Sequence, residues 1–417
     1  MKFNKWTVGL AALGVVSLAS AARADETNAV MTTLSSTTIS GYVDVSAQFN
    51  PNGGGGIPAV AGPPVVPAVP AAPNYNFGNK ANGISLNVVD IALDKPEDAT
   101  PWAAGYHVEF WVGPDGNTLG VGNDIRQAYI LLRTPVGNGI DWKIGIFDTI
   151  IGYEGTSSGS NPNYSRSFGY NLEPTTHTGI VGTYKINDEV SIQAGVADTS
   201  YGGSGAYNAA ANTTGLYLPT WLGAVTLTAP DNFGWAKGAT LAFGVINSSG
   251  NTAQLGGTGV VSGNGDGATS YYVGATLPTP NANLKFGASF DYLNARDVSA
   301  NAWDVALYST FQISDKLSLN LRAEYLAGGY GAGTPGTPVN GGAYLTLTPP
   351  GTTDQQAQEL TATVQYNLWA NVLTRLEFRW DHVDNGLGYI NNYSNLGSAA
   401  TPQKNAFLLA AQAIYTF

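Results

Sequence analysis

Apolar and polar residues alternate one by one along much of this chain. In Thr38–Asn50, Ile39, Gly41, Val43, Val45, Ala47 and Phe49 share one parity, while Ser40, Tyr42, Asp44, Ser46 and Gln48 share the other. The same period recurs further on. Leu284, Phe286, Ala288 and Phe290 oppose Lys285, Ser289 and Asp291, and Leu319, Leu321, Ala323 and Tyr325 oppose Asn320, Arg322 and Glu324. Successive side chains of a strand point to opposite faces, so a period of two predicts strands with one apolar and one polar face. The stretch TRLEFRWD places Leu376, Phe378 and Trp380 against Arg375, Glu377, Arg379 and Asp381. A slip of one residue would turn those four charges outward. If the outer face is lipid, each Arg at the bilayer midplane costs about 2–4 kcal/mol, which pins the register.

The links between alternating segments fall into two classes. Short ones lie near Lys95–Trp102, Thr134–Gly139, Asn187–Asp188, Ala229–Trp235, Thr279–Ala282, Ser314–Asp315 and Trp369–Asn371. Longer ones lie near Pro51–Lys80, Gly113–Gly122, Ile150–Thr176, Thr199–Pro219, Asn247–Ala268, Asn294–Ala300, Gly328–Gln356 and Asp384–Gln403. Short and long alternate without a break. Bacterial outer-membrane barrels have short periplasmic turns, longer outer loops and an even strand count. The pattern therefore predicts an all-β fold, a transmembrane antiparallel up-and-down β-barrel of about sixteen strands over residues 38–417, with both mature ends in the periplasm.

Composition agrees with that picture. Charged residues are 11% of the chain, less than half the roughly 25% usual for soluble domains, yet mean hydropathy sits near zero. Fine interleaving of the two residue classes reconciles these facts. The first residues carry Lys2 and Lys5, an apolar run from about Trp6 to Ala19, and Ala22-Arg23-Ala24. These are the parts of a secretory signal peptide over 1–24, followed by a short periplasmic leader over 25–37. Its removal would take the formal charge of −11 three units further negative, a balance from which no nucleic-acid partner is expected. No later run reaches the 18 or so apolar residues of a membrane helix. The chain has no Cys. The segment Gly53–Pro73 is rich in Pro and Gly and reads as a surface loop. Tyr106, Trp142 and Trp303 suit aromatic girdles at the membrane interfaces, although a soluble core would use them equally.

Several stretches between Asp124 and Gly179 are distinctive: Gln127-Ala128-Tyr129, Gly145-Ile146-Phe147-Asp148-Thr149, Gly152-Tyr153-Glu154, Asn161-Pro162-Asn163-Tyr164-Ser165-Arg166-Ser167 and Glu173-Pro174-Thr175-Thr176-His177-Thr178-Gly179. With the opening GYVDVSAQFN and the terminal aromatic residue, this region resembles the OmpL-like beta-barrel porins of bacteria. The resemblance covers most of the mature chain. It implies a water-filled channel in a Gram-negative outer membrane, open to passive diffusion of small hydrophilic solutes and ions, with no cofactor. General porins fold their third outer loop inward, and the link 150–176 holds the corresponding place.

A barrel of this size leaves a wet lumen, so function falls to lumen charges and to any loop that narrows the bore. The expected constriction residues are Tyr153, Glu154, Tyr164, Arg166, Tyr170, Glu173 and His177. Glu154 and Glu173 would oppose Arg166, either as a transverse field or with Arg166 pairing Glu173 to pin the loop. Strand parity assigns the lumen wall to Asp44, Glu109, Asp141, Lys143, Lys185, Lys285, Asp291, Asp304, Arg322, Glu324, Arg375, Glu377, Arg379 and Asp381. Arg126 has apolar neighbours on both parities and stays unassigned. The acidic surplus is expected in turns and loops, for instance Asp94, Glu97, Asp98, Asp188 and Glu189, with a weak cation preference.

Chemistry beyond transport finds little support. His107, His177 and His382 are far apart without metal-ligand spacing, and neither a nucleophile elbow nor a Walker sequence occurs. The stretch SGNGDGATS is explained by hairpin-loop Gly and Asn without an ion. Two alternatives remain open: a barrel hydrolase with His382 at its rim, and a plugged structural or adhesive barrel. The final stretch NAFLLAAQAIYTF has the composition of a helix, but a closing strand is expected there, with Phe407, Leu409, Ala411, Ala413, Tyr415 and Phe417 outward. The terminal Phe417 resembles the signal read by barrel-assembly machinery. Outer-membrane lipids and lipopolysaccharide are the remaining expected partners, and a homotrimer is one assembly open to the chain.

Overall fold

The computed structural model describes residues 37–51, 82–118, 125–198, 219–248, 252–255, 259–262, 267–296, 300–329, 355–385, 389–390 and 402–417. The expected signal peptide 1–24, the leader except its last residue, the Pro/Gly-rich segment 53–73 and residues 263–266 lie outside them.

Sixteen strands form one closed barrel. They are β1 (Thr38–Phe49), β2 (Gly83–Lys95), β3 (Ala104–Val112), β4 (Ile125–Thr134), β5 (Ile140–Asp148), β6 (Thr176–Lys185), β7 (Val190–Ala197) and β8 (Thr220–Thr228). The second half comprises β9 (Thr240–Ser248), β10 (Ala268–Pro278), β11 (Leu284–Ala295), β12 (Ala300–Gln312), β13 (Leu317–Gly329), β14 (Gln355–Trp369), β15 (Val372–Asn385) and β16 (Asn405–Thr416). Each strand pairs antiparallel with its sequence neighbours, and β16 returns to β1 through Val43↔Tyr415 to Phe49↔Leu409. Two short ribbons, Thr252–Leu255 with Gly259–Ser262 and Tyr389–Ile390 with Pro402–Gln403, extend the longer links.

The helix-forming composition of the last segment loses to edge pairing. An open edge would leave a row of unpaired N–H and C=O groups in lipid. Phe417 completes the seam, accepting from Gly41 N at 3.2 Å and donating to Gly41 O at 3.0 Å.

Parity holds around the barrel. Ile39, Leu321, Leu376, Phe378, Leu409 and Tyr415 are exposed on the outer face, whereas Asp44, Arg322, Glu377 and Arg379 are buried inside. The core of this molecule is therefore polar, and it is covered by the protein's own third loop rather than by a second layer of strands. Arg126 escapes the parity rule for a local reason. Glu109 pairs with Gln127 and Phe110 with Ile125, so Arg126 is the extra residue of a β-bulge. The bulge turns its guanidinium inward, under the Trp111 ring and onto Asp148.

Candidate functional site

The link between β5 and β6 enters the lumen. Residues 161–174 are buried apart from the half-buried Pro162, and they include a one-turn helix, Phe168–Leu172. Ser167 caps that turn by accepting from Tyr170 N at 2.9 Å. Upstream, Asn161 closes a second turn: its side chain accepts from Gly155 N at 2.8 Å and donates to Gly155 O at 2.6 Å. Asn and Ser serve here because short polar side chains satisfy loop backbone that has no ladder partner.

Wall residues of β13 and β15 hold the loop by its backbone. Glu377 on β15 accepts from Tyr164 N at 2.6 Å and Ser165 N at 2.9 Å. Glu324 on β13 accepts from Phe168 N at 2.9 Å. Arg379 donates to Arg166 O at 2.6 Å, and Arg322 to Ser165 O at 2.8 Å. Arg375 donates to Ser158 O at 2.8 Å and also to Asn161 O. Hydrogen bonds to charged groups contribute about 1.5–3 kcal/mol each, so this set fixes the loop's position firmly.

Side chains complete the seat. Glu154 meets Arg322 at 2.7 Å, Asn163 donates to Thr363 Oγ1 on β14 at 2.7 Å, and the Tyr164 hydroxyl lies 3.0 Å from Ser46 Oγ on β1. Tyr153 stacks on Tyr308 of β12 with ring centroids 4.1 Å apart. Ile151 joins an apolar cluster with Phe147, Val181, Leu222 and Ile246, which line β5, β6, β8 and β9. Tyr170 joins a second with Tyr42, Val88, Trp111 and Ile414, which line β1, β2, β3 and β16. The loop thus reaches walls on opposite sides of the bore.

The expected pairing of Arg166 with Glu173 is corrected. The Arg166 guanidinium donates to Tyr164 O at 3.1 Å, Thr156 O at 2.5 Å and Ser158 Oγ at 3.3 Å, and lies over the Tyr170 ring. The loop curls around its own Arg, whose two terminal nitrogens are held by the Tyr164 and Thr156 carbonyls and the Ser158 hydroxyl instead of by Glu173. Glu173 instead abuts Asp291, and burial followed by that carboxyl pushes its pKa well above the usual range. His177 also stands apart from these contacts. Its Nε2 lies 3.1 Å from Thr149 Oγ1, and its ring packs beside Phe147.

The wall residues divide by depth. Asp44, Glu109, Asp291, Asp304, Arg322, Glu324, Arg375, Glu377, Arg379 and Asp381 are buried within the lumen. Asp141 and Lys143 are half-buried, with Asp141 paired to Arg133 and Lys143 over the Tyr129 ring at 4.9 Å. Lys185 and Lys285 sit at strand ends beside the short turns, away from the loop. Asp94 lies in β2 facing His107 at 3.5 Å rather than in a turn. The lumen itself therefore holds part of the acidic surplus, including Asp90 and Glu359. Alternation in QELTATVQ could have revealed Glu359 and Thr363, since Leu360 and Val364 take the outer face. Nothing local marks Asn163 or Trp111 as loop contacts. His382 faces Asn405 Oδ1 at 2.8 Å and Asp384 at 3.5 Å.

A closed sixteen-stranded barrel with a charged lumen and an inserted third loop defines a porin-type protein of the outer membrane. The chain belongs to the family described as "Putative beta-barrel porin-2, OmpL-like", which matches residues 36–417. Among solved structures it is similar to in-vitro folded OmpT of Vibrio cholerae in its trimer form, at 15% identity, TM-score 0.53, covering 91% of this chain and 99% of that one. It is likewise similar to the outer membrane channel DcaP of Acinetobacter baumannii, at 14% identity, TM-score 0.53 and coverage of 91% and 97%. The anion-selective porin from Comamonas acidovorans matches at 11% identity, TM-score 0.53 and coverage of 92% and 99%. At these identities the likeness is one of fold. A search of curated proteins finds no match.

Proposed function

We propose that small hydrophilic solutes and ions cross this porin passively, and that the loop 150–176 sets the bore through which they pass. The observation that carries this is the loop's attachment to Glu377, Glu324, Arg322, Arg375 and Arg379, which supports a constriction of both signs across the lumen. Opposed charges in a narrow pore order water and sort solutes by charge and dipole. On this reading Glu154, Arg166 and Glu173, with the neighbouring tyrosines, form the narrow part, and Asp141, Lys143, Lys185 and Lys285 line the wider entrance on the short-turn side. The process needs no cofactor and no catalytic step.

Residues 1–24 would export the chain, leaving 25–37 as a periplasmic leader. The short turns and both mature ends would then face the periplasm, with Phe417 offered to the barrel-assembly machinery. The trimer form of in-vitro folded Vibrio cholerae OmpT, which shares the fold, supports a homotrimer; outer-membrane lipids and lipopolysaccharide would surround it. Liposome swelling tests the proposal: vesicles holding the refolded protein should swell with small sugars and progressively less with larger ones. Swelling no faster than protein-free vesicles, under conditions that unseat the loop, would contradict it. The contacts of the loop with opposite walls favour a second reading, a barrel closed at rest.

A further inference from the structure

Most charges around the loop find opposite partners. Arg322 meets Glu154 at 2.7 Å, Glu359 at 3.2 Å and Glu324 at 3.3 Å, and Arg379 meets Asp381 at 2.8 Å and Glu359 at 3.8 Å. On the β11–β12 side, three carboxyls have no cation within ion-pair distance among the described residues. Asp291 on β11 and Asp304 on β12 are direct cross-strand partners on the lumen face, which puts their Cβ atoms about 5 Å apart. Glu173 comes down on Asp291 from the loop. Among the described residues, both oxygens of Asp304 and one of Asp291 are buried with no hydrogen-bond partner. Gly169 presses on the same pair, since a Cβ there would come within 3.1 Å of Asp304 Oδ2.

The other groups facing this trio do not neutralise it. Tyr153 in the loop, Tyr272 on β10 and Tyr308 on β12 are uncharged phenols, and Arg322, which faces Asp304, is already shared by Glu154, Glu324 and Glu359. Like charges this close cannot all ionise in a site closed to water. Among the described residues, no group of three or more His, Asp or Glu is arranged to hold a metal ion. Protons supply the compensation for such a cluster, and the upward shift at Glu173 agrees.

We propose that Glu173, Asp291 and Asp304 form a proton-operated latch that keeps the third loop seated across the lumen, and that loss of their protons releases the loop and opens the channel. The sign follows from linkage. The seated state binds more protons than the released one, so seating is strongest below the ordinary carboxyl pKa of about 4. It weakens as pH climbs toward the raised value of the seated state. For one proton the open-to-closed ratio rises about tenfold per pH unit through that window.

The latch rests on the porin reading, so the experiment separates the two. Planar-bilayer conductance is recorded from pH 5 to pH 9 for the wild-type protein, Asp304→Asn, Glu173→Gln and a variant lacking residues 156–171, with folding checked by heat-modifiable gel mobility. The wild type should be mostly closed at the acid end and open by tenfold or more at the alkaline end. Asp304→Asn and Glu173→Gln should open only at a higher pH than the wild type or stay closed, because a neutral amide mimics one protonated member of the trio. The loop deletion should conduct at every pH. A wild type indifferent to pH, or substituted proteins that follow the wild-type curve, overturns the latch while a conducting deletion leaves the porin reading intact. A folded deletion variant that never conducts overturns both.

Discussion

Arg322 on the barrel wall and Glu154 in the third loop meet at 2.7 Å, and neither side chain is exposed. They lie 168 positions apart in the chain. Arg322 also reaches Ser165 O and Glu359, so one guanidinium joins two strands to the loop. Breaking a buried pair by removing one partner costs about 3–5 kcal/mol, because the remaining charge is stranded. Arg322→Ala should lower the free energy of urea unfolding of the barrel by an amount of that order and raise its mean conductance. Arg322→Lys keeps the charge but loses the fork of donors, and should fall between the two. A variant as stable and as conductive as the wild type would remove Arg322 from the loop's seat.

The outer face gives a prediction of opposite character. Leu376 is exposed on the lipid side between buried Arg375 and Glu377. Leu376→Arg should cost about 2–4 kcal/mol of folding free energy near the bilayer midplane, measured by refolding into lipid vesicles. The loop contacts lie on the other parity, so conductance of the molecules that do insert should be unchanged. No loss of stability would mean that this face does not meet lipid.

These two sites differ in how far the sequence reveals them. The direction of Leu376 and Arg375 is legible from alternation alone, because a strand has only two faces and a charge is costly on one. The same rule assigns to the lumen the ten wall residues found buried there. It cannot show what meets them, since Glu377 binds backbone at Tyr164 and Ser165 more than 200 residues away. Periodicity reports a side chain's direction and says nothing of what crosses the bore. Arg126 is illegible because a bulge breaks the period there. The pairing of Arg166 with Glu173 misleads because closeness in sequence hides the loop's own carbonyls, which lie nearer.

The short turns offer a test by pH. Glu97, between β2 and β3, has its pKa pushed up to about 7 by partial burial and by the carboxyl of Asp141, with Arg133 opposing the shift. A carboxyl raised in the folded state contributes stability that is present below its unfolded pKa and lost as pH rises through the folded value. Between about pH 6 and 8 the group also acquires a negative charge at the short-turn mouth. Reversal potentials in a salt gradient should therefore shift toward cations across that interval. Glu97→Gln should reduce the shift, and a substituted protein with the full wild-type change would exclude Glu97 as a contributor.

Whether the third loop governs passage through the barrel is the central question. Asn163 in the loop donates to Thr363 Oγ1 on β14 at 2.7 Å, and the chain has no native Cys. Asn163→Cys with Thr363→Cys therefore introduces one candidate crosslink between loop and wall, its formation verified by mass spectrometry. Single-channel conductance of this protein, oxidised and then reduced at the same alkaline pH, is the most direct measurement. The expected result is a closed or strongly reduced channel when crosslinked, with stepwise conductance returning on reduction. Equal conductance in both states, with the crosslink formed, would contradict control of the channel by its third loop.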